Sequence, residues 1–489
     1  MSGIGGSIAK KIKSGGLAKF ELWTDEAAKL AQTVVERLDA KNIETVRLVF
    51  ADQHGILRGK TITSRMLTSA FASGIGVPST LLLKDTSHRT VFDVWNSETT
   101  GIGLLIGGAS DLLIVPDPNC FYPLPWSPHS AILMCDVIDR FGTPIAFASR
   151  TVLAKAEGKL RDAGFEAVFG LEVEFQIFQK TDDALNHDQA TMPPAPIGTR
   201  NMTQGWQYLT DTRYGQAEGI LDTLRRFSED MGLAPRTMEI EMGPSQFEFT
   251  FDPSGPMLQA DRFVLFRTLV KEVCAQRGLH ASFMAKPKLP NAAANGWHIH
   301  QSLLDSKTGA NVFMSNNSGL TPQASGWLAG LLEHASASCL LTTPTVNGYK
   351  RFTKFQLAPN RITWGTDNRG AMLRALLYRG DSSSRIENRV ADTTANPYYA
   401  FAAQILGGLS GITDGKSAPL PAQSPYADEA APLPNNLSEA IDAFEVSSLF
   451  EGTMGNEFVQ YLTHIKRAEW QRYLMTVSEW EQAEYFNLF

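Results

Sequence analysis

The sequence predicts an α+β protein with a small, sheet-rich N-terminal domain and a larger domain in which long helices alternate with strands. The first part of the chain shows the period-two alternation of strands, whereas the later part carries apolar stripes with helical spacing. A chain of 489 residues, 43% of them apolar, can bury a core in both domains. We expect a loose tail over residues 1–20, a first domain over 21–145 and a second over 146–489.

Alternating segments predict the strands of the first domain. Thr45–Ile62 alternates on both sides of a turn at Gln53–Gly55 and predicts two paired strands, and Ala131–Val137 predicts another. Pro116–Ser130 is rich in proline and turn residues, which predicts a loop. Further short strands are expected at Thr90–Val94, Leu104–Ile106 and Leu112–Ile114.

Helical spacing and helix boundaries organise the second domain. One apolar stripe stops at Gly278, and glycine commonly follows a helix because it adopts the left-handed conformation freely. Proline at position 397 opens another helix. Helices are therefore predicted at Ser149–Ala163, Arg213–Met231 and Pro256–Arg277, from Pro397 onward and from Met454 to the end.

Charge and cysteine usage limit the classes of partner. The 44 basic and 51 acidic residues give a net charge of −7, which argues against general nucleic-acid binding and against a polybasic membrane anchor. No apolar run reaches membrane-spanning length, and the N-terminus lacks the apolar stretch of a secretory signal. Four cysteines, far apart in apolar surroundings, favour free thiols in a reducing compartment. We therefore expect a cytoplasmic protein that binds neither nucleic acid nor membrane.

Residues able to bind a cation stand on strand-like segments of the second domain. They are Glu172, Glu174, Glu241, Glu248, His298 and Glu387. Alternate residues of a strand share a face, so Glu172 and Glu174 point the same way. An unpaired buried charge is costly, and carboxylate oxygens suit Mg²⁺ or Mn²⁺ better than Zn²⁺. Taken one at a time, a solvated face, a packing histidine or a surface ion pair would also explain each residue.

Six motifs follow one another in the order typical of one enzyme family. They are GLEVEF, EMGPSQFE, WHIHQSL, NGYKR, NRGAMLR and RIENRVADTTANPY. From about residue 20 onward, the chain resembles the glutamine synthetase family. The resemblance implies a small N-terminal β-grasp domain and a large catalytic domain with a curved antiparallel sheet and flanking helices. It also implies a homo-oligomer of stacked hexameric rings, usually a dodecamer, with active sites between subunits.

The resemblance further implies a ligase that uses ATP, glutamate and an amine, with two or three Mg²⁺ or Mn²⁺ ions at each site. ATP would phosphorylate the γ-carboxylate of glutamate, and the amine would then displace phosphate to form an amide. The implied ligands of the first metal are Glu174, Glu241 and Glu248, and those of the second are Glu172, His298 and Glu387.

The same motifs imply roles for the remaining site residues. ATP contacts are implied for His300, Ser302, Arg374 and Arg385. Glutamate contacts are implied for Arg351, Arg389 and Ala294, the last in place of the family's usual glycine. Catalytic roles are implied for Arg369, which would steady the transferring phosphate, and for Asp52, which would serve the neighbouring subunit's site. Glu239 receives no role.

Leu357 is the departure from the family pattern that bears most on the acceptor amine. The ammonia-using members carry a glutamate here, which closes the site and takes a proton from ammonium, and leucine can do neither. Trp297 replaces the usual methionine, so we predict an amine pocket lined by Leu357 and Trp297. Aniline-type amines arrive uncharged and fit such a pocket. A polyamine fits less well, because Lys350, Arg351 and Lys354 place positive charge beside it.

Several alternatives stay open from sequence alone. The chain could be an ammonia-using glutamine synthetase, a γ-glutamylpolyamine synthetase, a non-catalytic relative or, least of all, a guanidino kinase. The C-terminal segment Pro432–Ile441 lacks the tyrosine that some family members adenylylate, so we predict no control by adenylylation.

Overall fold

Two β-sheets organise the chain, one formed before residue 145 and one after it. The computed structural model describes residues 5–95, 104–182, 185–317, 319–353, 357–426 and 430–489. Within these residues, no helix combines the length and the apolar character that a membrane span requires.

The first sheet has five strands in the order β2-β1-β5-β4-β3. These strands are β1 (Thr45–Ala51), β2 (Leu57–Thr63), β3 (Ile75–Pro78), β4 (Asp111–Pro123) and β5 (Ser130–Ile138). The accompanying helices are α1 (Gly5–Lys13), α2 (Asp25–Ala40) and α3 (Leu67–Ser73). Strands β1 and β5 run parallel in the centre, whereas the other neighbours run antiparallel. A parallel central pair in a mixed sheet matches the expected β-grasp arrangement.

The N-terminal segment is ordered against the first domain where the structure describes it. Ile12 and Leu17 are fully buried, and the Leu17 amide donates to the Ala72 carbonyl oxygen at 3.0 Å. A Cβ at Gly15 would lie 2.4 Å from that same oxygen, so only glycine allows this approach. The prediction of a loose tail is therefore wrong for residues 5–20, because isolated apolar residues among the lysines dock on α3. Residues 1–4 lie outside the described residues.

Strand β4 runs through a segment whose prolines predict a loop. Within the described chain, β3 pairs only with the first residues of β4, Asp111 to Ile114. Beyond them β4 has one unpaired edge, where a proline costs no ladder hydrogen bond. The register with β5 shifts between Pro116 and Phe121, which marks a bulge. The loop prediction is therefore wrong up to Pro123.

Two of the short strands predicted in the first domain do not form. Residue Thr90 makes only an isolated bridge to Lys84. The predicted strand at 104–106 lies in a stretch of tight helical turns, Leu104–Ala109. Both segments are too short for alternation to distinguish a strand from a turn.

The second sheet has nine strands, and its main path is β12-β13-β14-β11-β6-β9-β8, with β7 and β10 also paired to β6. Its strands are β6 (Phe165–Lys180), β7 (Thr199–Asn201), β8 (Pro235–Ile240), β9 (Gln246–Phe251), β10 (Leu279–Ser282), β11 (Trp297–Asp305), β12 (Trp364–Thr366), β13 (Leu373–Leu376) and β14 (Arg385–Asn388). Its helices are α4 (Ser149–Asp162), α5 (Asp211–Asp230), α6 (Pro256–Gln276), α7 (Pro322–Glu333), α8 (Ala335–Thr342), α9 (Pro397–Thr413), α10 (Leu437–Glu445), α11 (Ser448–Met454), α12 (Asn456–Leu474) and α13 (Glu479–Tyr485).

One face of strand β6 forms the core, and this decides where its acids point. Val173 and Phe175 are fully buried. The Phe175 ring lies 5.8 Å from the ring of Phe249 and 5.7 Å from that of Phe266 on α6, at angles typical of aromatic packing. Since side chains alternate along a strand, burial of this face directs Glu172 and Glu174 to the opposite face of the sheet.

Candidate active site

Strand register gathers three carboxyl groups, Glu174, Glu241 and Glu248, which we call the acidic half of the site. Glu174 on β6 lies directly opposite Glu248 on β9, and Glu241 follows the end of β8. One oxygen from each lies within 4.8 Å of the others. Carboxylates placed opposite each other on paired strands repel, so this grouping is unfavourable unless protons or cations neutralise it.

The pKa values of the acidic half reflect this crowding. Burial, followed by the charge of Glu174, raises the pKa of Glu241 to about 8. Burial, followed by the charges of Glu172 and Glu174, raises the pKa of Glu248 well above its usual value. Glu239, which lies opposite Glu248 and had no predicted role, adds further negative charge to both. Without a cation, Glu241 and Glu248 therefore favour the protonated form more than an ordinary glutamate does.

Glu172 joins two histidines on the neighbouring strand β11. His298 Nδ1 donates to Glu172 Oε2 at 3.0 Å, which leaves the Nε2 lone pair 4.0 Å from Glu174 Oε1. His300 Nε2 donates to Glu172 Oε1 at 2.8 Å. Burial alone would raise the pKa of Glu172, but these two hydrogen bonds outweigh it and hold the pKa well below its usual range.

Glu387 forms what we call the basic half of the site, together with Arg374 and Arg389. Its carboxylate is fully buried and accepts hydrogen bonds from Arg374 Nη1 at 3.0 Å and from Arg389 Nη1. Burial would raise its pKa, but Arg389 and then His300 outweigh burial and lower the pKa. The basic half is therefore neutralised by the chain's own cations.

The six predicted cation ligands lie together, but their grouping differs in part from the implied one. Glu174, Glu241 and Glu248 form one group, as the resemblance implied. Glu172 belongs to two further groups, one with Glu248 and His298 and another with His300 and Glu387. His300, which was assigned to ATP, thus also offers a ligand atom for a cation.

These residues fit the divalent cations that the family implies. Each group combines carboxylate oxygens with at most one imidazole, a donor set suited to Mg²⁺ or Mn²⁺. The raised pKa values of Glu241 and Glu248 mark a surplus of negative charge that a cation would neutralise.

Beside the acids, the space at Gly296, which we call the recess, borders Arg351, and the charge of Arg389 acts on that arginine. Arg351 and Arg389 are 4% and 5% exposed, and in the described chain the Nε of each has no hydrogen-bond partner. Arg351 Nη1 donates to the Val390 carbonyl oxygen at 2.9 Å. Buried donors are rarely left unpaired, so this recess suits a carboxylate ligand.

Gly296 keeps that recess open, and the sequence reasoning did not find it. A Cβ at this position would lie 3.1 Å from His298 Nε2 and 3.2 Å from Arg351 Nη2. The Gly296 amide also donates to Glu174 Oε2 at 2.7 Å. Its place in the motif NGWHIH, directly before the histidine strand, is the signal that could have identified it. Ala294, the residue predicted to meet glutamate, directs its carbonyl oxygen to Gln246 Nε2 at 2.8 Å instead.

The residues implied for ATP and phosphate lie along the other end of the sheet. Arg385 Nε donates to His300 Nδ1 at 3.2 Å, and Arg374 Nη2 binds Asp367 Oδ1 at 2.6 Å. Arg369 is exposed and close enough to Asp367 to lower the pKa of that carboxyl, although the hydrogen bond from Arg374 is the larger cause. Ser302 is half-buried two residues beyond His300, on the same face of β11.

The structure places Trp297 in the core and Asp52 in a buried turn. Trp297 is fully buried, and its ring stacks on that of Phe263 at 4.5 Å on the core side of β11. Asp52 is 1% exposed and accepts hydrogen bonds from the amides of its own turn and from Arg58 Nε at 2.8 Å. Trp297 is therefore corrected to a core residue, because odd positions of β11 face away from the acids. The carboxylate of Asp52 stabilises its own turn, and its role toward a neighbouring subunit stays a prediction.

Leu357, the other predicted pocket residue, is 54% exposed with a left-handed backbone of φ 55°. Residues other than glycine rarely adopt this conformation, so neighbouring structure must hold it. Burial raises the pKa of Tyr426, and Arg389 and the Leu357 backbone both act against this effect. Leu357 and the recess arginine Arg389 are therefore both close to Tyr426. The preceding residues 354–356, including the predicted Lys354, lie outside the described residues.

An exposed aromatic segment next to Glu241 was missed by the sequence reasoning. Trp206 and Tyr208 are 52% and 50% exposed. The Trp206 amide donates to the Met242 carbonyl oxygen at 2.7 Å, which fixes the segment beside the acidic half. Burial, followed by the charge of Glu241, raises the pKa of Tyr208 to about 12. The segment has no periodic pattern, so only the pair of aromatics in a polar loop could have drawn attention to it.

Comparisons with known proteins agree with this geometry. The family model for the glutamine synthetase catalytic domain matches residues 147–485. A γ-glutamylanilide synthase from Acinetobacter sp. is 35% identical, covering 96% of this chain and 98% of the relative. A glutamine synthetase from Halobacterium salinarum is 32% identical, covering 94% and 97%. A solved structure described as apo GmaS without ligand has a TM-score of 0.78 at 28% identity, covering 93% of this chain and 99% of that chain. The chain therefore belongs to the glutamine synthetase family, which confirms the resemblance and the fold that it implied.

Proposed function

We propose that this protein is an ATP-dependent ligase that joins the γ-carboxylate of glutamate to an apolar or aromatic amine through a γ-glutamyl phosphate. The observation that carries the proposal is the cluster of three carboxyl groups, of which Glu174 borders the recess at Gly296 together with buried Arg351. Such a site suits a phosphorylated substrate, its metal ions and a carboxylate at the same time.

The acidic half and Glu172 would hold the divalent cations, which neutralise the phosphates of ATP and of the transferred phosphoryl group. Glu174 is held in place for this by the Gly296 amide at 2.7 Å and by Gln246 Nε2 at 3.3 Å. His298 presents its Nε2 lone pair to the same space. The choice of Mg²⁺ or Mn²⁺ and the number of ions, two or three, belong to this proposal.

The recess arginines would bind glutamate. Arg351 offers its free Nε, and Arg389 can share its guanidinium between Glu387 and a substrate carboxylate. Arginine suits this role because its planar fork of donors matches a carboxylate. Arg369, exposed beside Asp367, would stabilise the transferred phosphoryl group, and Arg374 and Arg385 would contact the nucleotide together with His300 and Ser302.

The acceptor pocket would lie between Leu357 and the aromatic segment at Trp206 and Tyr208. These side chains are exposed apolar surface at the edges of a charged site, where an apolar amine would bury them. No acid replaces the missing flap glutamate at Leu357, so an amine that arrives neutral is favoured over ammonium. The 35% identity to a relative named γ-glutamylanilide synthase supports an aniline-like acceptor.

Glutamine synthesis from ammonia is the second candidate. The 32% identity to a glutamine synthetase favours it, because the two relatives differ little in overall similarity to this chain. The exposed, left-handed Leu357 argues against it, since leucine cannot take a proton from ammonium.

We also propose that the enzyme is a cytoplasmic homo-oligomer of stacked hexameric rings. The C-terminal residues Trp480, Phe486, Leu488 and Phe489 are between 63% and 97% exposed, an amount of apolar surface that suits contact with another subunit. Four buried free cysteines support a reducing compartment. Light scattering of the full chain and of a chain ending at residue 477 tests the assembly, and an unchanged mass after truncation would contradict a role for these residues.

The substrate proposal is tested by ADP release with saturating glutamate and MgATP and a panel of amines. We expect aniline or a small alkylamine to give a higher kcat/KM than ammonium or putrescine. Formation of the γ-glutamyl amide is followed in parallel by mass spectrometry. A dominant kcat/KM for ammonium would establish the second candidate instead, and no turnover with any amine would refute the ligase.

A further inference from the structure

A second cavity, of about 440 Å³, lies where the first domain meets the second. Its walls come from the turn between β1 and β2 (residues 53–57), from α6, from residues 282–284 and from residues 393–394. No proposed cation ligand and no recess arginine lines it, so it is separate from the candidate active site. A volume of this size accommodates a small organic molecule.

The charged residues that line this cavity are positive. Among the described residues that line it, Arg267, Lys271 and Lys466 are basic and none is acidic. Lys466 already pairs with Glu469 at 3.1 Å. Neither Arg267 nor Lys271 forms an ion pair with a carboxylate in the described chain. The cavity therefore presents two cations without counter-charges.

Arg267 is the more strongly constrained of these two cations. It donates to the Gly55 carbonyl oxygen and, at 3.2 Å, to that of Thr393. Burial lowers the pKa of Arg267 to about 10, although the charge of Asp52 opposes this. Asp52 is itself paired with Arg58 at 2.8 Å. A partly buried cation without its own counter-charge is unfavourable, and an anionic ligand would relieve it.

Lys271 extends the cationic wall by one helical turn. It lies four residues beyond Arg267 on α6, so both side chains project from the same face of the helix. Its Nζ contacts the Ala281 carbonyl oxygen at 3.3 Å, a single acceptor for three donor hydrogens. The two residues could therefore hold the two oxygens of one carboxylate.

Part of the remaining lining is apolar, among threonines and other uncharged polar side chains. Ile56 is 43% exposed and Met284 is 41% exposed, and both line the cavity with Phe283 and Pro344. An inorganic anion would leave these side chains in water, whereas an organic anion would cover them.

We propose that this cavity binds a small organic carboxylate with an apolar body. Its carboxylate bonds Arg267 and Lys271, and its body packs on Ile56 and Met284. Such a ligand connects the first domain's turn to α6 of the second domain, so its binding stabilises the contact between the two domains.

The test uses the full-length protein and isothermal titration calorimetry with benzoate, with saturating glutamate present to occupy the recess arginines. We expect a dissociation constant of about 1 mM or lower for benzoate. Benzamide, which has the same shape without the charge, and inorganic phosphate, which lacks the apolar body, should bind at least about tenfold more weakly.

Two variants test whether benzoate binds in this cavity. Lys271→Met should weaken benzoate binding about tenfold, whereas Lys159→Met, a change of an equally exposed lysine on α4, should leave it unchanged. Ile56→Trp, which fills the cavity and leaves its charges in place, should abolish binding. The proposal is overturned if benzoate does not bind, if benzamide or phosphate binds equally well, or if either cavity variant binds like the wild type. Catalytic turnover plays no part in these readouts, so they fail or succeed independently of the proposed ligase activity.

Discussion

The acidic half and the basic half of the active site contain the same residue type on the same sheet, yet their carboxyl groups titrate in opposite directions. Glu241 and Glu248 have raised pKa values because burial and neighbouring acids act together. Glu387 is fully buried but has a lowered pKa, because Arg389 and His300 outweigh burial. The chain thus neutralises one half by itself and leaves the other half to external cations.

The largest effect is expected when a carboxylate of the acidic half is removed. Glu248→Gln should lower kcat/KM by about 100-fold or more, because charge stabilisation worth several kcal/mol is lost with the cation. The same change should raise or preserve the melting temperature of the metal-free protein, since it removes a repelled acid. Steady-state ADP release and differential scanning calorimetry measure the two effects.

Glu239→Gln is the matched control, because Glu239 lies opposite Glu248 in register and is assigned no cation. It should change kcat/KM only slightly. An equal loss in both variants would mean that negative charge in general, and not a specific ligand, matters at this position.

The opposite result is expected in the basic half. Arg389→Ala leaves buried Glu387 with Arg374 as its remaining arginine partner, so the free energy of unfolding should fall by about 3 kcal/mol. The KM for glutamate should also rise, by about 10-fold to 100-fold, if Arg389 binds the substrate carboxylate. Urea unfolding and glutamate titration of the ADP-release rate separate these effects. A stable variant with an unchanged KM would contradict both roles.

Carboxyl groups with raised and with lowered pKa values should change the free energy of unfolding in opposite directions as pH rises. The folded pKa of Glu241, about 8, lies above its usual value of 4.5, so the folded protein binds more protons between these pH values. The metal-free protein therefore loses this part of its stability as pH rises from about 5 to 8. The pKa values of Glu172 and Glu387 are lowered in the folded protein, so these groups have the opposite effect on stability. They stabilise the fold above their usual pKa, and this stability is lost on acidification.

Calorimetry of the wild type and of Glu241→Gln across this pH range isolates the first contribution. The gain in melting temperature on adding Mg²⁺ should be greater at pH 8 than at pH 6 in the wild type, because fewer protons must then be displaced. The gain should vary less with pH in the variant. A wild-type gain that is independent of pH would show that Glu241 does not exchange a proton for a cation.

The smallest expected effect concerns the acceptor. Leu357→Glu should shift the ratio of kcat/KM for ammonium to that for aniline by about tenfold toward ammonium, because a carboxylate can accept a proton from the ammonium ion. Leu357→Gln, which is polar without being basic, is the control and should shift the ratio less. Equal ratios in the wild type and the glutamate variant would show that Leu357 does not line the acceptor pocket.

Much of this architecture follows from local sequence rules. Alternation places Glu172 and Glu174 on one face of β6 because Val173 and Phe175 must be buried on the other. The helix starts at Ser149 and Pro256 are likewise predicted and observed. The family motifs then predict that the six cation ligands meet, although they lie on segments far apart in the chain.

What the sequence could not predict depends on contacts between distant segments. Trp297 was assigned to the pocket from its position in a motif, but strand parity directs its ring onto Phe263 in the core. Gly296 is required because the side chains of Arg351 and His298 lie close to its Cα, and no local sequence pattern predicts that contact. The Asp52 turn is likewise held by distant segments, because the Asp52 carbonyl oxygen accepts hydrogen bonds from Ser149 Oγ and Asn396 Nδ2.

A count of bound Mn²⁺ shows whether the acidic half requires external cations. Electron paramagnetic resonance of free Mn²⁺ during titration of the metal-free protein should give at least two bound ions per chain, and Glu248→Gln should lose one of them. A wild-type chain that binds fewer than two ions, or a variant that binds as many as the wild type with equal affinity, would contradict the account.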